Sequence, residues 1–581
     1  MPTYNARNVG QVGVITDVPP YDLPANAWND AMNVRFDGTK IEKFGGNRRL
    51  MERFVKDGEQ TLAIAPLRDS RTDFSWIVAT DKNLYKVKSP TDVQIASKTE
   101  DIYQARLEST WYYTTLSNCL IMNTLNNTPQ GIKPGQEKFQ DLPNWGSVTG
   151  DDGKPAQQQW SANIIRSYKN FLVCMNMYEG AGEQTEYPQR VRWSDIADVN
   201  DFPQDWDSSS TTNSAGFNDL TDATGEIIDG LHMRDSFVIY TTEDTFLMQY
   251  IGGNAIFRFT KLFTGSGLLS RQCVTEFDGK HFVISQNDIY VHDGSSRKSI
   301  VAGRIREHLM REITSINPTA TRVFTNYPQK EVWITYCRPG TEKRNGGDWA
   351  PNKAAVWNWE FDTWTFYELP DQTDINLVAP LSVDARKWED YDRVPGDDPN
   401  KPKNSWAGIS EFEQWEITSQ NFASQYLVGL GKFGTIYQLD IGERFHNDKF
   451  TAAYDNPGGE EGQIPITKDV YEGTEVALVA WFERRQLDFD DIGVPTWANV
   501  KVRKCYPQFT GTGSCDIQVG GSNDPKTVPT YKQTQRFTIG TNYQTSFRVN
   551  NKYLAIKFVD DQLGQWSFTG YDLDLLVGGL R

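Results

Sequence analysis

A short phrase returns along this chain and limits what it can fold into. An apolar strand leads into a polar turn of Asp, Asn, Gly or Lys, and a second strand follows with Leu or Ile beside an aromatic. Clear copies run from Phe74 to Tyr85, Phe237 to Met248, Phe282 to Tyr290 and Tyr426 to Tyr437, with looser ones at Asn118–Asn123, Asn170–Cys174 and Glu331–Tyr336. Each copy reads as two antiparallel strands around a tight turn. Such a hairpin cannot bury its faces alone, but hairpins stacked about an axis can, and a period of about 40 to 50 residues is the mark of a propeller. The phrase therefore predicts an all-β chain with a β-propeller of six to eight blades, seven being preferred, between residues 58 and 445. Hairpins in a β-sandwich produce the same phrase, and that reading stays open here.

A length of 581 residues would give roughly four ordinary domains, a prior that repeats override. Aromatics at 13%, with 46 Gly and 27 Pro, suit many short strands joined by turns. The organisation predicted is an N-terminal anchoring segment and hairpin over 1–57, a propeller over 58–445, a linker over 446–465 and a C-terminal β-sandwich-like domain over 466–581. Loop insertions are expected at about 195–224, 338–352 and 386–404, where Asp, Ser, Thr, Gly and Pro cluster. In the N-terminal hairpin, Asn33–Phe36 and Lys40–Phe44 flank the turn Asp37-Gly38, with Pro24 and Trp28 as an anchoring plug. One short helix is predicted over Val301–Ile313, since Ile305, Leu309 and Ile313 share a face. Its Arg304, Arg306, His308 and Arg311 read as a solvated face, with DNA or an acidic neighbour as the other reading. After the Gly-rich acidic stretch Asn456–Gln463, alternating segments at Glu475–Phe482, Asn499–Cys505, Asp516–Gly520 and Tyr553–Phe558 read as half-buried strands.

Chemistry is sparse in the sequence. The five histidines (His232, His281, His292, His308, His446) form no HExxH or His-x-His pattern, and neither a GxSxG elbow nor a phosphate loop is present. The acidic run Asp488–Gly493 has alternate carboxylates and a Gly, but it lacks the third acid and the closing Glu of a calcium loop, so a hairpin turn is expected. No catalytic residue, metal ligand or cofactor is assigned, binding residues are not identified, and no enzymatic activity is expected. Trp193 and Trp359 read as buried surfaces. Six cysteines are widely spaced, only Cys505 and Cys515 being close enough for a local pair, which favours reduced thiols. The start lacks the order of a signal peptide and no apolar stretch is long enough to span a bilayer, so membrane insertion is not expected. Lys and Arg number 59 against 76 Asp and Glu, a formal charge of −17, which disfavours a surface built to grip phosphate backbones.

Three phrases carry a family resemblance. The stretch Asp22–Gly46 contains Leu23-Pro24, Trp28, Asn33-Val-Arg-Phe36, Asp37-Gly38 and Lys40. A second is Arg190-Val-Arg-Trp-Ser-Asp195 followed by Phe202-Pro203 and Trp206, and the third is the ending Trp566–Asp574 with Gly578 and Arg581. Together they resemble the tail nozzle, or tail tubular, structural proteins of short-tailed, podovirus-like bacteriophages. The match covers the two ends and one blade. The resemblance implies a virion protein made in the host bacterial cytoplasm. It further implies a cyclic homo-oligomer, a hexamer, joined to the adaptor ring below the portal and to other tail proteins or fibres. Double-stranded DNA would pass through it transiently and non-specifically during retention and ejection. Acids in or beside predicted turns (Asp37, Glu243, Asp244, Asp278, Asp288, Asp440) fit a surface on which DNA slides. Two other classes stay open: a glycan-binding or glycan-cleaving propeller for host-surface recognition, given the 18 Trp and 25 Tyr, and a cellular propeller serving as a scaffold.

Overall fold

A computed structural model describes the whole chain except residues 1–2, 52, 57, 71–72, 91, 106–109, 126, 150–154, 211, 254, 339–350, 371–373, 380–424, 432–433, 454–467, 488, 490–491, 496–497 and 579–581. Most of the expected insertion at 338–352, and the whole of that at 386–404 and of the Gly-rich stretch 456–463, lie outside the described residues. The fold is all-β and propeller-like, with one α-helix among the described residues. It divides into two compact units, one of Leu50–Ser266 and Thr373–Tyr437, the other of Met1–Arg49, Gly267–Gln372 and Gln438–Arg581.

Among the described residues there are seven four-stranded sheets, and each of the seven copies of the recurring phrase falls in a different one. Six are built from four sequential strands: Thr61–Ile95, Tyr112–Asp141, Gln159–Asp219, Ile227–Phe263, Val274–Ser299 and Arg322–Glu368. The seventh orders Asp374–Val378, Tyr426–Leu430, Ile436–Leu439 and the early strand Asn47–Met51. The polar turn of the phrase has a definite physical content. Thr80 donates its N–H to Asn83 O, and Asn83 returns its N–H to Thr80 Oγ1 at 2.8 Å. Thr241 with Asp244 and Ser285 with Asp288 repeat the same exchange in two other sheets. A hydroxyl three residues before Asn or Asp thus closes the loop on itself. Elsewhere the turn takes a backbone form, as at Asp278-Gly279, where both residues have positive φ (47° and 67°), the conformation a two-residue hairpin loop of matching twist requires.

In the unit of Leu50–Ser266 and Thr373–Tyr437, apolar layers lie between successive sheets. Ile77, Leu84 and Leu67 pack against Leu120, Met122 and Trp111. Leu116, Cys119 and Ile121 meet Trp160, Ile165 and Leu172, and Val173 and Val191 meet Phe237, Ile239 and Met248. Ile64, Trp76 and Val78 pack against Val378, Val428 and Ile436. The three sheets Thr61–Ile95, Tyr112–Asp141 and Gln159–Asp219 therefore bury both faces, as their near-continuous apolar strands require.

The other unit holds two of the seven sheets and a β-sandwich. We label the sandwich strands β1 (Thr3–Arg7), β2 (Asp30–Met32), β3 (Val34–Asp37), β4 (Lys40–Lys43), β5 (Ala480–Leu487), β6 (Val500–Gly511), β7 (Ser514–Ser522), β8 (Thr530–Thr538), β9 (Thr545–Asn551), β10 (Tyr553–Asp560) and β11 (Trp566–Val577). One sheet has the order β9-β6-β11-β4-β3 with β1 also on β11, and the other β2-β5-β10-β7-β8. The N-terminal hairpin forms where expected, but it does not stand apart as a segment: its strands complete both C-terminal sheets. Trp28 is its plug, buried edge-on against Phe482 at 4.7 Å and donating to Val9 O at 2.8 Å, whereas Pro24 is exposed. The expected strand Glu475–Phe482 is split. Lys468–Ala477 pairs as a ten-residue ribbon with Arg444–Ala453, a strand that takes the first residues of the expected linker, and β5 begins at Ala480.

The helix α1 spans Arg306–Ser315 and buries Leu309, Met310 and Ile313, while Ile305 packs just before it. No side chain of its own caps it. Instead Asp17 accepts the N–H groups of Glu307 (2.9 Å) and His308 (3.4 Å), so a carboxylate from the N-terminal segment meets the positive end of the helix. Because β1 to β4 supply edges and a core face to both C-terminal sheets, residues 466–581 expressed alone are expected to show no cooperative thermal transition by circular dichroism. A sharp transition from that fragment would show an autonomous domain.

Candidate functional site

A gathering of ionisable side chains lies on α1 and the strands beside it. His308 and Glu312 are one helical turn apart, and Glu312 receives Tyr336 Oη–H at 2.6 Å and Lys353 Nζ at 2.8 Å, with His308 Nε2 at 3.6 Å. Burial works to raise the Glu312 carboxyl, but Lys353, Tyr336 and His308 outweigh it and hold it below the usual range. Asp30 on β2 is pushed up by burial, against the pull of Lys353 and Arg485. Burial lowers His308 and raises Tyr336. Next to these, Glu483 on β5 receives Arg485 at 2.8 and 3.0 Å and the Tyr531 hydroxyl. The carboxylate of Glu312 is fully engaged by its own chain, so this cluster acts first as a lock between helix and strands.

A second buried joint is centred on Arg35. Its guanidinium contacts Glu331 at 2.5 Å and Asp440 at 2.8 Å and lies 4.2 Å from the ring centre of Phe44. Burial disfavours the cation, but the two carboxylates hold it firmly charged. Glu331 also accepts Trp333 Nε1–H at 3.0 Å, and Asp440 accepts the Gly45 N–H at 2.9 Å. A Cβ at Gly45 would lie 2.4 Å from the Asp440 backbone and one at Gly46 1.9 Å from Arg444 O, which explains the glycine pair. Lys43 and Asp560, both fully buried, form a third pair at 2.8 Å, and Trp566 donates to the same carboxylate.

The phrase Arg190–Asp195 is explained by packing. Arg192 is buried, with two contacts of 2.9 Å to Glu179 and the Trp160 ring at 4.2 Å, and Arg190 joins Glu179 and Asp219. Trp193 is buried, as expected, and donates to Ser214 O. Trp359 is only half-buried: it lies at 5.3 Å from Phe277 and 6.1 Å from the half-exposed Tyr327, whose hydroxyl donates to Glu276. Sequence reasoning missed this aromatic surface because its members are about 30 to 80 residues apart and only the sheets bring them together.

Among the described residues no group of three or more His, Cys, Asp or Glu converges as a metal site. His281 and His292 face each other across two strands at 5.4 Å, and burial together with His281 lowers His292 to about 3. Asp488, Asp490 and Asp491 of the acidic run lie outside the described residues. All six cysteines are buried and none is joined in a disulfide, Cys505 and Cys515 included. Of the acids expected to line a sliding surface, Glu243 and Asp278 are exposed, but Asp440 is spent on Arg35 and Asp244 on Lys261 at 2.8 Å. Just before the helix Arg304 pairs with Asp362, and on it Arg306 pairs with Asp288, leaving Arg311 as the exposed cation of the set. No helix among the described residues is long and apolar enough to cross a membrane.

No family model matches the sequence, and no curated protein matches it. Among solved structures the chain is similar to a fungal alcohol oxidase of the AA5 family in complex with copper. The identity is 7% and the TM-score 0.33, over 93% of this chain and 100% of that one. In view of this likeness the expectation of a chain without enzymatic activity is withdrawn. No activity is put in its place, since a likeness at that TM-score carries no argument for oxidase chemistry here.

The sign of the Glu312 shift fixes a pH dependence. A carboxyl depressed in the fold contributes stability above its unfolded value of about 4.3, and the contribution is lost as pH falls through the lower folded value. Glu312→Gln is therefore expected to cost about 3 kcal/mol near neutrality, a difference from the parent chain that disappears in acid; urea midpoints measured across pH 3 to 7 test it. Arg35→Met leaves the buried Glu331 and the half-buried Asp440 without their cation and is expected to cost about 3 kcal/mol, read from the same midpoints.

Proposed function

We propose that this chain is a structural subunit of the ring-shaped tail nozzle of a short-tailed bacteriophage, a conduit for genome retention and ejection. The phrase Leu23-Pro24…Trp28…Asn33–Phe36…Asp37-Gly38 carries this reading, together with its ending Trp566–Asp574. The two lie on strands of one sandwich: Phe568 on β11 pairs with Ile41 on β4, and β4 pairs with β3 through Asp37 and Lys40. Both phrases are thereby held in one sandwich, an arrangement suited to a part that must bear load without opening. The acidic excess of 17 charges fits a duct through which a polyanion moves, since a lumen lined with cations would hold duplex by counterion release.

In a cryo-EM map of the virion tail, six copies around the DNA channel beneath the adaptor ring are expected; single peripheral copies or trimeric spikes would overturn the proposal. A second reading, glycan recognition, is favoured by the Tyr327–Trp359 surface, where a half-exposed ring stands beside the fixed carboxylate of Glu276. On that reading Tyr327→Ala abolishes saturable binding of purified bacterial surface polysaccharide to the chain.

A further inference from the structure

Four of the large side chains that stand out into water come together at one end of two packed sheets, Gln159–Asp219 and Ile227–Phe263. The register sets that end. Strands Gln159–Tyr168 and Phe171–Gly180 turn at Lys169-Asn170, and strands Thr245–Tyr250 and Phe257–Phe263 turn over 251–256. The two turns are side by side, since the ring centre of Tyr250 lies 5.1 Å from Lys169 Nζ and 6.0 Å from that of Phe171. The turn Arg234-Asp235 is tied to the same end by the Tyr168 hydroxyl, which donates to Asp235 O at 2.6 Å. The loop after Trp193 returns there as well: Ala197 donates its N–H to Asn170 O at 2.9 Å, and Asn200 to Ser117 O at 3.0 Å. Strapped down by these bonds, the loop holds Val199 80% exposed and Ile196 49% exposed. The hairpin turn is closed by the N–H groups of Ile251 and Gly252, both on Ile256 O at 3.0 and 3.3 Å, and it holds Ile251 55% and Tyr250 43% exposed. The charge here also departs from that of the whole chain. No acid occurs from Thr245 to Thr275, and the exposed cations Lys169, Arg234 and Arg258 outnumber the exposed acids Asp198 and Asp235. Asp201 is matched by Lys133 at 2.6 Å, and Asp195, Asp205 and Asp207 accept N–H groups of their own loop.

We infer that this end of the two sheets docks on the anionic headgroup surface of a lipid bilayer. Val199 and Ile251 are held in water by backbone hydrogen bonds that leave their side chains nothing of this chain to pack on, so an apolar phase outside it is what would take them out of water. Tyr250 suits the headgroup level, with an apolar ring and a polar hydroxyl, and the Lys169 and Arg258 cations can meet lipid phosphates there. A protein partner would have to match the shape of separate turns from two sheets, whereas a fluid interface accepts isolated apolar tips. The chain's net charge of −17 does not forbid the contact, because charges more than about 8 Å away are screened at physiological salt and the local excess is cationic. The contact is shallow, and no element crosses the bilayer. It does not depend on the nozzle reading.

The test is flotation of the full chain with vesicles of phosphatidylethanolamine and phosphatidylglycerol at about 3:1, beside vesicles of phosphatidylcholine alone. The chain is expected to float with the anionic vesicles and about tenfold less with the neutral ones. Val199→Asp/Ile251→Asp is expected to lower the bound fraction about tenfold, and Lys169→Glu/Arg258→Glu to remove the preference for anionic vesicles. Val528→Asp, at a sandwich valine that is 79% exposed, is expected to float like the parent; thermal melts check that each variant is folded. A parent chain that floats with neither vesicle overturns the inference, as does Val199→Asp/Ile251→Asp floating like the parent. Equal flotation with both vesicles overturns the anionic headgroup, and a loss in Val528→Asp as large as in Val199→Asp/Ile251→Asp shows adsorption without a site. Self-association abolished by Val199→Asp/Ile251→Asp, with vesicles ignored, overturns it in favour of a protein contact.

Discussion

The joint of Arg35, Glu331 and Asp440 is the constraint on which one of the two units depends. A guanidinium cannot shed its proton, so once buried it must be matched, and the three residues come from the N-terminal hairpin, the start of a sheet strand and the turn after the last sheet. Such a buried set adds little net stability over a well-packed apolar one. It acts by exclusion, because any register that leaves one partner unmatched strands a charge in the interior. Gly45 and Gly46 follow from it, since the hairpin must come close enough to Asp440 for a backbone N–H to reach the carboxylate. Lys43 with Asp560 extends the same logic into the sandwich.

Around these joints the sheets solve one local problem in different chemical ways. Three of them close the central hairpin with a Thr or Ser hydroxyl, and the Asp278-Gly279 turn uses positive φ instead. The repeat is faint in sequence because the geometry, not the residue, is what recurs. Buried polar networks then differ from sheet to sheet: Glu59 is held by Thr80, Asn83 and Tyr85, Arg166 by Asp229, and Arg192 by Glu179. Each satisfies a buried charge with partners of its own unit, as low-dielectric surroundings demand.

The sequence by itself determined the strand cores, since alternating or continuous apolar runs bounded by Gly, Asn and Asp have few other solutions; all seven copies of the phrase lie in separate sheets, and the face Leu309 and Ile313 of α1 is buried as its spacing required. Only the tertiary structure decided that the N-terminal hairpin belongs to the C-terminal sheets and that Asp440 and Asp244 are consumed in ion pairs. It alone showed that Trp359 meets Tyr327 at a surface and that Glu312 gathers Tyr336, Lys353 and His308. The physical reason is range. Periodicity and turn chemistry act between neighbours in the chain, whereas ion pairing and the joining of sheet edges link residues hundreds of positions apart and leave no local pattern to read.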